Sequence, residues 1–485
     1  MVFSAPLFLF GFLPVVLAAH ALAPRACRNL LLLAASLFFY AWGEKFYIGV
    51  LLASIGINYL AGIIIDSLRR PLPRRAGLGV AVTVNIGLLG SYKYANFLID
   101  NLNAVLPHLH IPPVVIDRVH LPLGISFFTF HALSYVIDVY RREVKSLRNV
   151  VNFALYIAFF PQSIAGPIIR FHDVAAQLAR RQITFDGWTA GVSQFILGLS
   201  KKMLVANTLA VPADAIFGLP GSALTCGLAW LGAACYTLQI YFDFSGYSDM
   251  AIGLARMFGF EFRANFDYPY VSQSITEFWR RWHISLSSWF RDYLYIPLGG
   301  NRRGPARTYL NLLTVFLLCG LWHGARWTFI AWGLYHGAFL VLERLGLDRR
   351  LARLPAALRH AYALLAVVVG WVFFKAETFH RALAMLRAMA GLCSGRAVVY
   401  DTVVYLRHDV VLALVGGGVL SLPVLPWLAG LERRLSTATA EKAWGCAALE
   451  AACGLGTTLV LSVLLLCSAM LLAGNTYNPF IYFRF

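Results

Sequence analysis

The chain has 485 residues, of which 59% are hydrophobic and 13% charged. A water-soluble fold of that size cannot cover so much apolar surface, so the composition excludes a soluble globular protein. The formal charge is 41 − 23 = +18. Its basic residues fall in short loops between apolar runs, the pattern that orients a membrane chain, so the excess points to a membrane and away from nucleic acid.

Uncharged or nearly uncharged runs cover residues 2–23, 29–42, 46–65, 76–92, 410–429 and 451–483. A bilayer core takes ~20 apolar residues per helix, which predicts an all-α polytopic membrane protein with roughly eleven to thirteen membrane segments, some re-entrant or interfacial. The first run lacks a basic leader and a clear cleavage site, so it reads as an uncleaved helix. Arg25 and Arg28 place the next loop in the cytoplasm, as do Arg69, Arg70, Arg74 and Arg75 after Asp66. Residues 98–120 are then exoplasmic, with Pro107, Pro112 and Pro113 arguing against a helix there.

Residues 150–169 have basic residues on both flanks, Arg141, Arg142, Lys145 and Arg148 before and Arg170, Arg180 and Arg181 after. With Pro161, Gly166 and Pro167 inside, the run reads as an element that enters and leaves on the cytoplasmic side. Irregular backbone at that depth needs protein or a water-filled cavity around it. Residues 263–308 are too polar to span; Trp279, Trp282, Trp289, Tyr293 and Tyr295 alternate with arginines as in helices lying in the interface. The last helix, about 451–473, follows Arg433, Arg434 and Lys442 and puts an aromatic tail, residues 474–485, on the exoplasmic side. No polar stretch is long enough for a separate domain, so residues 1–485 read as one membrane domain. The eight cysteines form no CxxC pair and no zinc spacing, and read as small core residues.

The chemistry concentrates at 279–345. Trp279-Arg280-Arg281-Trp282-His283 is followed by an apolar run bearing Trp322-His323-Gly324, then Tyr335-His336-Gly337. Ionisable groups at membrane depth are costly and are functional candidates by default. His323 is the candidate general base and His283 a second site histidine; His336 fits packing better. Spacings of 40 and 13 residues, with no HExxH motif, argue against a metal. Arg280 and Arg281 are candidates for the phosphates of an anionic donor. The run Tyr241-Phe242-Asp243-Phe244-Ser245-Gly246-Tyr247-Ser248-Asp249 buries two acids, for which pairing with an arginine is the simplest account and lining a polar tunnel the alternative. Tyr482, in the closing Phe480-Ile481-Tyr482-Phe483-Arg484-Phe485, is either part of an aromatic belt or a phenol on a tether.

Several motifs in one order resemble the membrane-bound O-acyltransferase superfamily, in particular its bacterial branch typified by the membrane subunit of alginate O-acetylation. They are Phe38-Phe39-Tyr40-Ala41-Trp42, Lys93-Tyr94-Ala95-Asn96-Phe97, Leu121-Pro122-Leu123-Gly124-Ile125-Ser126-Phe127, Tyr135-Val136-Ile137-Asp138-Val139-Tyr140-Arg141 and Ala165-Gly166-Pro167-Ile168-Ile169-Arg170. The Tyr241–Asp249 run, Ile275-Thr276-Glu277-Phe278-Trp279-Arg280-Arg281-Trp282-His283 and Leu321-Trp322-His323-Gly324 complete the set. The resemblance implies a fold around a central tunnel, with His323 as the catalytic histidine, His283 as the second tunnel histidine and Tyr482 as an acyl acceptor. Residues 376–450 match no motif.

The same resemblance implies an enzyme that takes an acyl group, acetyl by expectation, from a cytoplasmic thioester and passes it across the membrane for O-acetylation of an exported polysaccharide. No bound cofactor is expected; acetyl-CoA is the expected donor substrate. Expected partners are a periplasmic SGNH-type acyltransferase, polysaccharide export machinery and membrane lipid, with no nucleic acid, in a bacterial inner membrane. Two rivals stand beside it: D-alanyl transfer to teichoic acid, and a transporter of an anionic solute, which broken helices and buried acids would fit.

Overall fold

The computed structural model describes residues 1–392, 402–439, 443–474 and 477–479. Among them every regular element is a helix. Five helices are long and apolar enough to cross a bilayer: Arg25–Gly43, Ile48–Ser67, Phe185–Gly218, Ala356–Lys375 and Ala451–Gly474. His408–Leu420 and Val424–Leu431, bent by 60° at their junction, make a sixth if taken as one broken span. Other apolar stretches form shorter helices, or longer ones that carry charge, such as Pro71–Lys93 and Cys226–Met257. The chain is a polytopic all-α membrane protein.

In lipid, helices gain little from excluding water, so close backbone approach is what holds them together. Phe185–Ser200 crosses Cys226–Met257 at two glycine pairs, Gly191 with Gly253 and Gly198 with Gly246. A Cβ on Gly191 would lie 2.7 Å from the carbonyl oxygen of Gly253, and one on Gly246 2.7 Å from that of Gly198. Pro305–His323 packs on Trp327–Leu342 in the same way: a Cβ on Gly320 would run into the Phe329 carbonyl, and one on Gly333 into that of Phe316. Gly320→Val is therefore expected to destabilise the protein by about 1–3 kcal/mol, read as a lower thermal unfolding midpoint in detergent. An unchanged midpoint would show that this crossing has room to spare.

The proline-bearing run near residue 160 is broken as expected. Val150–Ala158 stops at Phe159, whose ψ of 114° leaves the helical region, and Phe160–Ser163 forms one further turn with Pro161 inside it. Arg141 before the run donates to the Asp292 carbonyl at 2.8 Å, and Arg170 after it pairs with the Asp292 carboxylate. Both flanks reach one residue, so the segment leaves and returns on the same side. From Phe153 onward it is buried in protein, with Phe160 and Ser163 fully enclosed.

Three expectations are corrected. Residues 98–105 are not loop: Ala95–Val105 is a helix and Leu106–Leu109 a 3-10 turn, because prolines bar only what comes after Pro107. The tryptophans of 263–308 do not lie in the headgroup layer. Trp279, Trp282 and Trp289 are buried, packed on Trp332, Trp371 and Phe130 respectively, so the short helices Ile275–Arg281 and Ile284–Phe290 are internal on that face. Of the described cysteines, Cys235 and Cys319 are buried, whereas Cys27, Cys226 and Cys467 are exposed. Exposed thiols are tolerated here because much of this surface is itself apolar.

Candidate active site

His323 is the last residue of the helix Pro305–His323, which starts with Pro at its first position, where no amide donor is missed. Its C-terminal carbonyls are capped from a distant helix. Tyr94 Oη donates to the Leu321 carbonyl at 2.7 Å, and Lys93 Nζ donates to the Trp322 carbonyl and to Ser126 Oγ. A cation at a helix C-terminus also meets the negative end of its dipole. Gly324 is extended, and a Cβ there would enter the Phe329 ring, which accounts for the glycine after the histidine.

The His323 ring is 5% exposed, with ring centres of Trp322, Trp332 and Phe374 5.0, 5.1 and 5.1 Å away. Its Nδ1 makes no hydrogen bond. His323 lines a cavity of about 250 Å³ together with Lys93, Ser126, Phe127, Ile164 and Trp322. The cavity extends to His120, whose side chain is 57% exposed, on the side that the loop charges mark as exoplasmic.

His283 sits between the two short helices with a left-handed backbone, φ 44° and ψ 55°. It is 1% exposed, Nδ1 lies 3.2 Å from Asn265 Oδ1, and Nε2 has no partner. Its ring centre is 4.6 Å from that of Phe244 and 6.1 Å from that of Trp322. The structure thus brings His283 and His323 together, both against Trp322. His336 stands apart: fully buried, packed on Trp279 and Trp332, with Nε2 where a Gly370 Cβ would be. It fills space, as its sequence context suggested.

Arg280 is exposed. Arg281 is committed to Glu277 and Asp267, both at 3.0 Å. Of the two acids only Asp243 is buried, Asp249 being partly exposed, and their cationic partners are lysines and not arginines: Asp243 pairs with Lys202 and Asp249 with Lys201, each at 2.6 Å. One group of metal-ligand type exists among the described residues, Asp138, Glu143 and His172. Asp138 accepts from Tyr293 Oη at 2.7 Å and lies 2.9 Å from His172 Nδ1. That hydrogen bond raises the His172 imidazole above its ordinary pKa. These bonds tie three segments together without needing an ion.

Tyr482 lies outside the described residues. Tyr477–Pro479, just before it, do not trail into solvent. Tyr477 Oη donates to Asp214, Asn478 bonds to Ser4 Oγ (2.9 Å) and to Asn207 (3.1 Å), and the Pro479 carbonyl accepts from Lys202. From Asp214 through Asn207 to Lys202, these contacts step inward along Phe185–Gly218.

Sequence reasoning missed Asn265 and gave Lys93 and Tyr94 no role. A signal for Lys93 existed: it is a cation at the exoplasmic end of an apolar run, against the general charge bias. Asn265 carried none, because its partners are set by folding.

The family model described as MBOAT, membrane-bound O-acyltransferase family, matches residues 117–386. The chain is 50% identical over 391 residues to the probable alginate O-acetylase AlgI of Pseudomonas putida, covering 80% of each chain. It is 43% identical over 506 residues to the protein of that name from Azotobacter vinelandii, covering 100% of both. Similarity extends to the peptidoglycan O-acetyltransferase of Helicobacter pylori, 36% identical over 429 residues, covering 81% of this chain and 80% of the relative.

Proposed function

The chain belongs to the membrane-bound O-acyltransferase family, in its alginate O-acetylase branch, and from that membership we propose that it moves acetyl groups from cytoplasmic acetyl-CoA across a bacterial inner membrane to an exported polysaccharide. The observation that carries the proposal is the pair His283 and His323, both packed against Trp322, with His323 lining a cavity that extends to the half-exposed His120. The names of the relatives supply alginate and peptidoglycan as the kind of acceptor polymer. O-acyl transfer as the reaction class replaces the transporter reading.

In the proposed step a hydroxyl oxygen attacks the thioester carbonyl carbon. His323 takes the hydroxyl proton, the carbonyl electron pair moves to oxygen, and collapse expels the CoA thiolate, leaving an ester. A buried neutral imidazole suits this general-base role. His283, packed against the same Trp322, positions the donor. Arg280, exposed on the cytoplasmic segment, attracts the CoA phosphates. Arg280→Gln is expected to raise the acetyl-CoA KM roughly fivefold, worth ~1 kcal/mol for an exposed charge, with kcat unchanged, the pattern of lost ground-state binding. Arg281→Gln is expected to act first on the Glu277 and Asp267 pairs, and so on folding. Equal KM for wild type and Arg280→Gln would remove Arg280 from the donor site.

Tyr482 is the proposed acceptor hydroxyl, which passes acetyl to a serine of a periplasmic SGNH-type transferase. Support comes from Tyr477–Pro479, which head inward to Lys202, the partner of Asp243; the next residue, Phe244, packs on His283. Three more residues reach at most ~11 Å. Tethering gives even a weak phenol nucleophile a high effective concentration. After incubation with acetyl-CoA, the C-terminal peptide is expected to carry one acetyl group on Tyr482 by mass spectrometry. Absence of that adduct, with polysaccharide acetylated normally by Tyr482→Phe, would leave the tail as an anchor.

A further inference from the structure

Three backbone and side-chain groups converge on one buried amide. Asn265 Oδ1 lies 3.2 Å from the Ser285 amide nitrogen, 2.9 Å from Ser285 Oγ and 3.2 Å from His283 Nδ1. Its Nδ2 donates to Ser248 Oγ at 3.0 Å, and its backbone carbonyl accepts from Ile284 N at 2.9 Å. Asn265, Ser248 and His283 are each about 1% exposed, so water cannot substitute for any of these bonds.

These contacts fix which atoms donate. A backbone N–H only donates, so the Asn265 atom facing Ser285 N must be the oxygen; the flipped amide would set two donors against each other. His283 Nδ1 faces that same oxygen and must therefore carry a proton. Ser285 Oγ also lies 3.4 Å from His283 Nδ1, but it accepts from Ile168 N at 3.0 Å and its one proton goes to the nearer Asn265 Oδ1 at 2.9 Å, which leaves Nδ1 as the donor. With the proton on Nδ1, His283 Nε2 is the nitrogen with a free lone pair, and it has no protein partner.

We propose that Asn265 is a positioning residue for acyl transfer: it fixes His283 in the Nδ1–H form and holds Nε2 as a bare acceptor next to Trp322. The same residue steadies the left-handed backbone at His283, since the two amides after it are both bound by Asn265, Ser285 N by the side-chain oxygen and Ile284 N by the backbone carbonyl. Ser248 brings in the Tyr241–Asp249 run, and Ile168 the re-entrant segment. Both are thereby locked to one imidazole. Orienting a histidine through its other nitrogen is a general device in catalysis.

The proposal rests on the reading that His283 takes part in the transfer, and two measurements separate them. Full-length protein labelled with ¹⁵N-histidine, compared with a His283→Gln sample to assign the resonance, reports which nitrogen holds the proton. Nδ1 is expected; a proton on Nε2 overturns the proposal even if His283→Gln is inactive. In the second measurement, Asn265→Leu, of similar size but without acceptor or donor, is expected to lower kcat for CoA release from acetyl-CoA by roughly 10²-fold with little change in KM. Combined with His283→Gln it should cost nothing further, because it acts through that residue. Independent, additive losses would make Asn265 a packing residue and overturn the positioning role. Full activity of His283→Gln would remove the reading beneath, and the positioning role with it.

Discussion

His323→Ala is expected to lower acetyl transfer from acetyl-CoA by about 10²-fold or more, the size of a lost general base. The ring is enclosed by Trp322, Trp332 and Phe374 and touches the cavity that opens towards His120. His283 packs on the same Trp322, with its Nδ1 engaged by Asn265. Truncation leaves a void among aromatics, so His323→Gln, closer in volume, is the companion variant; both should insert and purify normally. The assay is CoA release by purified protein, with the Tyr482 adduct as a second readout. Retention of more than about a tenth of wild-type activity by both variants would take the base role away from His323.

Lys202→Met is expected to destabilise the protein by about 3–5 kcal/mol, the cost of breaking a buried ion pair by removing one member. Lys202 lies 202 − 185 = 17 residues into the 34-residue span Phe185–Gly218, at its midpoint, where ionised groups are dearest. Its partner Asp243 is 2% exposed. Removing both charges, as Lys202→Met with Asp243→Asn, should recover much of the loss. Thermal unfolding in detergent reads both. A single variant as stable as wild type, with activity intact, would show that the pair contributes neither stability nor placement of the tail.

Much of this was legible in the sequence, for identifiable reasons. His323 and His283 stood out because charge in an apolar run is rare, and the break near Pro161 because arginines on both flanks forbid a single crossing. What could not be read was pairing across distance. Lys93 reaches Trp322 over 229 residues, Asn29 reaches Leu178 over 149, and Lys202 reaches Asp243 over 41. No local periodicity encodes such contacts. The tryptophans near 280 misled because an aromatic-arginine mixture looks alike whether its partner is headgroups or protein. The acids at 243 and 249 were expected to find arginine; two adjacent lysines on a helix in glycine contact with theirs were closer.

Asn478 bonds to Ser4, and Pro479 to Lys202. Residues far apart in the chain are thus joined. Chains emerge from the ribosome at ~5–20 residues per second, N-terminal parts first, so Ser4, Lys202 and Asn207 wait through the synthesis of more than half the protein before these partners exist. Closure of this part of the interior consequently waits for residues 477–479 to be made. A chain stopped before residue 477 would carry every described helix and still be left open along this seam, because the partners of Ser4, Asn207 and Lys202 would be missing from it.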